Sequence, residues 1–292
     1  MNPFYLSPHA PTKYFCDRER ETKEIIDYLE SGSNITLISP RRYGKTGLIY
    51  HVFDTLMEKG ADYEMYYVDI YSARSVEEMI ALMAESIYEK LDGRPAAKSF
   101  MDVLRSVRPV LTTDPFSGMP QFSFTFQTDT EKRYTLKSLL GYLEKRKKKV
   151  IVAIDEFQQI RSFEGIESEA LLRTYIQPLN NVRFIFSGSK RHVMSDMFIG
   201  EKSPFYESAA IYPIGQISKE SYSSFIMRCF SEAGRTISDE AIEYILEWTL
   251  SHTYYTQFLC NRVFATSGER VDIPEVKAAI RAILEENAES FL

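Results

Sequence analysis

The chain has 292 residues, of which 44% are hydrophobic and 26% charged, a composition typical of a folded globular protein, and its length predicts one large and one smaller domain. A formal net charge of −6 provides no domain-wide basic field, so we do not expect this chain to bind nucleic acid directly. Three separated cysteines, no apolar leader and no long apolar run argue against a disulfide framework, a secretory signal and a membrane span, and favour a cytoplasmic protein.

The first part of the chain alternates helices with short strands. Apolar runs rich in β-branched residues predict buried strands, and the longer segments between them predict helices. Up to residue 91 the predicted elements are a helix at 17–30, a strand at 34–38, a helix at 45–59, a strand at 64–70 and a helix at 76–91.

Residues 92–130 interrupt this alternation with several prolines and glycines, followed by the alternating run QFSFTF. They predict an insertion with a short helix, a loop and a β-segment at a sheet edge. The alternation then resumes with a helix at 131–148, a strand at 150–154, a helix at 168–177, and strands at 182–186 and 209–213.

After residue 216 only helices are predicted, at 218–233, 238–249, 253–266 and 274–288. Apolar strands between helices indicate a parallel sheet covered on both faces. We therefore predict an α/β domain over 1–215, with its insertion at 92–130, and a small all-helical domain over 216–292.

The segment SPRRYGKT at 39–46 follows the first strand and opens a helix. It matches the phosphate-binding pattern GxxxxGK[ST] except for Ser39 at the first glycine. In such a loop the backbone N–H groups face a β-phosphate, Lys45 bridges the β- and γ-phosphates, and the Thr46 hydroxyl ligates Mg²⁺. The predicted nucleotide-binding residues are Ser39, Pro40, Arg41, Arg42, Tyr43, Gly44, Lys45, Thr46 and Gly47. The alternative is a basic turn that happens to contain Gly-Lys-Thr.

A second motif, VIVAIDE at 150–156, places Asp155 at the carboxyl end of an apolar strand, where ligands of open α/β sheets bind. Asp155 is the predicted partner of Mg²⁺, and Glu156 is the predicted catalytic residue that polarises water. An acidic cap after a core strand is the alternative. Ser187, at the end of a later strand, is predicted to sense the γ-phosphate or hold the water, although a plain Ser-Gly turn would also fit. The adjacent Asp-Glu pair favours a hydrolase over a kinase.

With these motifs in place, the chain resembles the archaeal-type ATPases, a family in the STAND branch of the AAA+-like NTPases related to the Orc1/Cdc6-type initiators. The segments that carry the resemblance are FCDRE at 15–19, SPRRYGKTGLI at 39–49, VIVAIDEFQQI at 150–160, FIFSGSKRHVM at 184–194, SPFYESAAIYPIG at 203–215 and TYYTQFL at 253–259. The resemblance implies an ASCE/AAA+-like P-loop fold with a helical lid, and an adenine-contacting segment that includes Phe15 and Arg18. The lid motif departs from the family, with Ser251 and Thr253 in place of glycine and proline.

These features predict an ATP- and Mg²⁺-dependent regulatory ATPase that works as a switch, slow without a partner. A P-loop phosphotransferase and a non-hydrolysing ATP-binding interaction module are the alternatives. Residues 188–208 offer no assignable arginine finger, so a ring motor is not supported. Family members commonly continue into a winged-helix or other domain. We therefore expect a protein partner, an effector or a DNA-binding domain beyond this chain, and no membrane association.

Overall fold

The computed structural model describes residues 1–7, 9–91, 93–104, 110–115, 118–164 and 167–286. The predicted insertion and the end of the predicted helical domain each include residues outside these ranges. The chain forms two compact units. The sheet unit comprises Glu24–Pro40 and Leu56–Pro213, and the helical unit comprises Met1–Lys23, Arg41–Thr55 and Ile214–Leu292.

The helices are α1 (Glu19–Glu30), α2 (Lys45–Glu58), α3 (Val76–Glu89), α4 (Gly93–Leu104), α5 (Asp129–Glu144), α6 (Ser168–Ile176), α7 (Arg191–Phe198), α8 (Lys219–Glu232), α9 (Asp239–Trp248), α10 (Thr253–Thr266) and α11 (Ile273–Glu286). The strands are β1 (Ile35–Ile38), β2 (Tyr63–Asp69), β3 (Val110–Thr113), β4 (Pro120–Ser123), β5 (Lys149–Asp155), β6 (Val182–Gly188), β7 (Ala210–Pro213), β8 (Thr236–Ile237) and β9 (Arg270–Val271). None of the helices in the described ranges is both long and apolar enough to cross a membrane.

The sheet unit is built on a five-stranded sheet of order β2-β5-β6-β1-β7 in which every pairing is parallel. β1 and most of β5 are buried along their length because helices cover both faces of such a sheet. Parallel strands end at the same edge, so the residues that follow β1, β5 and β6 lie along one edge. The predicted α/β class with a parallel P-loop-type sheet is confirmed.

The insertion contains α4 and an antiparallel hairpin, β3–β4, which forms a sheet of its own. The predicted short helix and edge β-segment are both present, since each strand of a two-stranded sheet is an edge strand. Phe122 of β4 is buried, with its ring centre 5.5 Å from that of Tyr88 and 6.3 Å from that of Phe100. This aromatic contact holds the hairpin against α3 and α4.

Helix α7 was missed by the sequence analysis, although its Met194, Met197 and Phe198 are buried in the core of the sheet unit. Its eight residues give too short a periodic pattern to separate from a loop.

The helical unit packs α8–α11 around a core that includes Phe4, whose ring lies 5.9 Å from Phe225 and 6.0 Å from Phe264. Ser218 and Ser238 cap α8 and α9 through their hydroxyls. The four predicted helices are confirmed. The prediction of helices alone is corrected by β8 and β9, a parallel pair of two-residue strands too short to leave a sequence pattern.

Candidate functional site

The phosphate-loop segment leaves the sheet at Ser39, which is buried directly after β1. Lys45 is the first residue of α2 and is 6% exposed. The backbone is left-handed at Arg42 (φ 63°) and at Gly44 (φ 89°). Left-handed residues in a turn before a helix direct successive N–H groups into one concavity, which is the arrangement that binds phosphate. The strand–turn–helix context expected for the motif is present.

Asp155 ends β5 with its carboxylate already oriented. One oxygen accepts the Tyr67 hydroxyl at 2.8 Å, and the other accepts the Glu156 N–H at 2.9 Å. The residue is 4% exposed and lies in register with Asp69 of β2. Partial burial of its carboxyl raises the pKa of Asp69, and the nearby charges of Asp155 and Glu156 act in the same direction. The edge of the sheet is therefore a concentrated acidic site.

Glu156 takes a left-handed backbone conformation (φ 54°), which an ordinary residue adopts at a cost of about 1 kcal/mol or more. Its carboxylate accepts the Ser189 hydroxyl at 2.8 Å and also the side-chain amide of Gln158. The predicted catalytic carboxylate is thus held by two donors. Sequence reasoning missed both donors. The only signal in the sequence was the placement of two polar residues: Gln158 lies two positions after Glu156, and Ser189 directly follows β6.

Ser187 is fully buried at the end of β6, in register with Leu37 of β1. Its hydroxyl has no hydrogen-bond partner among the described residues. Leaving a buried hydroxyl without a hydrogen-bond partner costs free energy. A ligand that supplied a partner for the Ser187 hydroxyl would therefore be favoured. Next to it, a Cβ on Gly188 would lie 2.4 Å from the Met194 sulfur and 2.5 Å from Gln158 Oε1. The glycine lets Gln158 approach the strand end.

The predicted adenine-contacting segment belongs to the helical unit. The ring of Phe15 stacks on His51 of α2, with centres 4.2 Å apart and planes 17° apart. Arg18 is 4% exposed and donates to Glu21 at 2.6 Å and to the Gly215 carbonyl at 2.7 Å. Its guanidinium therefore anchors the N-terminal segment, and its contact with a nucleotide stays a prediction.

A second group in the helical unit surrounds the turn of the phosphate loop. The ring of Tyr43 meets His252 edge-on at 4.9 Å, and the Gln216 amide donates to the Tyr43 hydroxyl at 3.3 Å. Burial lowers the pKa of His252, and the charge of Arg42 acts in the same direction. Both effects disfavour a positive charge on the His252 ring.

The predicted magnesium ligands, Thr46 and Asp155, supply the hard oxygen donors that Mg²⁺ prefers. Within the described ranges, no group of three or more His, Cys, Asp or Glu side chains is placed to hold a metal by itself. Mg²⁺ usually keeps several waters and is bound largely by substrate phosphates, so it needs few protein ligands. That Thr46 and Asp155 hold one ion together stays a prediction.

Comparisons with known proteins agree with this arrangement. The sequence model of a family described as an ATPase domain predominantly from Archaea matches residues 15–256. No curated protein is similar enough in sequence to match the chain.

Among solved structures, a Walker-type ATPase of Pyrococcus abyssi is similar with a TM-score of 0.67 and 19% identity, over 99% of this chain and 77% of that one. The Aeropyrum pernix ORC1 protein, solved in complex with DNA, gives a TM-score of 0.62 at 14% identity, over 94% of this chain and 66% of that one. The Thermotoga maritima RuvB Holliday junction branch migration motor gives a TM-score of 0.55 at 12% identity, over 96% of this chain and 73% of that one. At these identities the likeness establishes the fold.

Proposed function

Because the chain belongs to the family of ATPase domains found predominantly in Archaea, we propose that it is a magnesium-dependent ATPase that acts as a regulatory switch. The observation that carries the proposal is the state of Glu156, whose carboxylate lies beside the fixed Asp155 and is held by Ser189 and Gln158. A catalytic carboxylate engaged by two donors suits an enzyme whose resting turnover is slow.

In the proposed reaction, Lys45 neutralises charge between the β- and γ-phosphates, and the loop from Ser39 to Gly47 holds the phosphates through its N–H groups. Bound Mg²⁺, held by Thr46 with Asp155, would take part of the developing charge. Glu156 accepts a proton from the water that attacks the γ-phosphorus, ADP leaves, and phosphate is released. The Ser187 hydroxyl senses the γ-phosphate.

A phosphotransferase would need an acceptor pocket near the carboxyl edge of the sheet. The cavity that the insertion helps to line, of about 630 Å³, includes Tyr88, Lys90, Thr112 and Met119. It lies at the opposite edge of the sheet, because the Lys90 ammonium reaches the carbonyl of Met65 near the start of β2. This position argues against the phosphotransferase alternative and favours hydrolysis.

The proposed switch would act on a partner protein, an effector or a DNA-binding domain outside this chain, in the cytoplasm. The Aeropyrum pernix relative was solved with DNA. For this chain the acidic net charge argues that DNA contact would come from such an additional domain.

The test is ATP turnover by the purified chain with Mg²⁺, next to Lys45→Ala and Glu156→Gln. We expect slow hydrolysis by the wild type and a loss of about 100-fold or more in both variants, because each removes a group that acts in the transition state. Glu156→Gln should still bind ATP. Tight ATP binding without hydrolysis by the wild type would instead support a non-hydrolysing binding module, and absence of ATP binding would overturn the assignment of residues 39–46.

A further inference from the structure

The side chain of Arg42, at the turn of the phosphate loop, is engaged by two aromatic residues. Its guanidinium carbon lies 4.5 Å from the centre of the Tyr254 ring and 6.0 Å from that of Tyr255. Nη1 also donates to the Tyr255 hydroxyl at 3.5 Å. An aromatic face within ~6 Å attracts a guanidinium through its quadrupole. Both partners come from the first turn of α10.

The same turn of α10 binds the backbone of the loop. The Tyr254 N–H donates to the Arg42 carbonyl at 3.2 Å, and the Thr253 hydroxyl donates to the Tyr43 carbonyl at 3.4 Å. The Thr253 methyl group lies 3.5 Å from the position that a Cβ would take at Gly44. Two successive carbonyls of the loop are thereby fixed, and with them the N–H groups of Tyr43 and Gly44, which share the same two peptide planes.

The Tyr254 ring is itself held within the helical unit. It stacks on Phe258 with centres 5.9 Å apart and planes 11° apart, and Phe258 packs on the core of that unit. Arg42 needs this support because its left-handed backbone (φ 63°) is unfavourable for a residue with a Cβ. The contact with Tyr254 offsets this cost in the folded chain.

We infer that Arg42 is a positioning residue, which through Tyr254 holds the phosphate loop in its nucleotide-receiving shape and does not itself contact the phosphates. The inference rests on the proposed binding of ATP by this loop. It gives the altered lid motif a physical role: Thr253, where the family has proline, and Tyr254 bind the loop. Helix α10 then influences nucleotide affinity without touching the nucleotide.

The experiment measures the dissociation constant of a fluorescent ATP analogue with Mg²⁺ for Arg42→Met, Tyr254→Leu and the double variant. An exposed cation–π contact contributes about 0.5–1 kcal/mol, so we expect each single variant to bind about two- to fivefold more weakly. The double variant should bind no more weakly than the worse single variant, because both changes remove one shared interaction. Tyr254→Phe keeps the ring and the backbone N–H and should bind as the wild type does.

The matched control is Tyr244→Leu in α9, whose ring carries the Lys277 ammonium at 5.5 Å. Tyr244→Leu removes a comparable cation–π contact, but neither Tyr244 nor Lys277 belongs to the phosphate loop. The affinity of this variant for the ATP analogue should therefore be unchanged, even if its melting temperature falls. A purely structural role for Tyr254 would lower the melting temperature of Tyr254→Leu in the same way and leave its affinity unchanged, which would overturn the inference.

Two further results would also overturn it. Additive losses in the double variant would mean that the two side chains act separately. Weaker binding by Arg42→Met with normal binding by Tyr254→Leu would mean that the guanidinium contacts phosphate directly. Failure of the folded wild type to bind the analogue is a different outcome, since it appears before any variant is compared and refutes the proposed function as well.

Discussion

The carboxyl edge of the sheet and the start of α10 each hold predicted catalytic or binding residues of their own unit in place, but they do so by different means. At the sheet edge, hydrogen bonds of 2.8 Å from the Tyr67 and Ser189 hydroxyls orient the carboxylates of Asp155 and Glu156, respectively. At α10, aromatic faces and backbone bonds hold Arg42, a cation. Hydrogen bonds fix single atoms where chemistry is proposed, whereas the broader ring contact fixes the course of a loop.

Each of the two regions contains a glycine that can be tested, Gly188 at the sheet edge and Gly44 in the phosphate loop. Of the two substitutions, Gly188→Ala should lower stability more. A Cβ at this position would lie 2.4 Å from the Met194 sulfur and 2.5 Å from Gln158 Oε1, and both side chains are buried. Overpacking of this kind typically costs about 1–3 kcal/mol. We expect a loss of that size in the free energy of unfolding measured with urea.

The control for this change is Gly141→Ala in α5, where a Cβ would meet no atom within 4 Å. The same substitution should there stabilise the protein by about 0.5–1 kcal/mol, because alanine favours a helix. Equal stabilities of the two single variants would contradict the close packing at the end of β6.

Gly44→Ala should act mainly on binding. Space is available, since Thr253 Cγ2 lies at an ordinary 3.5 Å, but φ is 89°, where a side chain is strained. The strain costs about 1–2 kcal/mol, and the loop can release it by leaving its left-handed conformation. We therefore expect at least about fivefold weaker binding of the ATP analogue with little change in melting temperature. Gly215→Ala, which has open space and no positive φ, is the control and should bind normally.

The two regions also differ in how far the sequence predicted them. Apolar strands placed Asp155, Glu156 and Ser187 at one edge of a parallel sheet, because strand direction alone brings strand ends together. The partners of these carboxylates could not be predicted in the same way. Ser189 reaches Glu156 across 33 positions of sequence, and that distance closes only when β5 and β6 pair.

At α10 the sequence predicted the helix but not its role. Residues 251–257 lie where the family has its lid motif, but Ser251 and Thr253 replace the glycine and proline of that motif. The contact between Arg42 and Tyr254 spans more than 200 positions and depends on packing within the helical unit. No local pattern encodes such a pair. The two-residue strands β8 and β9 were missed for the related reason that pairing, and not propensity, creates them.

Ser189→Ala tests whether the hydrogen bonds at the sheet edge restrain Glu156. One hydrogen bond contributes about 1 kcal/mol net, so removing this donor should free the carboxylate and raise ATP turnover by about two- to fivefold. Ser223→Ala in α8, whose hydroxyl bonds within its own helix, should leave the rate unchanged. A fall in turnover comparable to that of Glu156→Gln would show instead that Ser189 holds Glu156 in its working position.

The mildest test changes no residue and uses the three thiols, Cys16, Cys229 and Cys260, all of which are buried in the core of the helical unit. Burial raises the pKa of Cys229 to about 12 and raises the pKa values of Cys16 and Cys260 as well. Since only the thiolate reacts, alkylation at pH 8 should be more than about a hundredfold slower in the native protein than in urea.

Gly44→Ala should keep this protection, because its strain is confined to the loop and does not reach the core that encloses the thiols. Rapid alkylation of that variant would show that a change in the loop also loosens the core of the helical unit, which the contact between Arg42 and the Tyr254 ring alone would not explain. Slow alkylation, together with the weaker binding expected above, would show that the loop can change shape while the core of the helical unit stays closed.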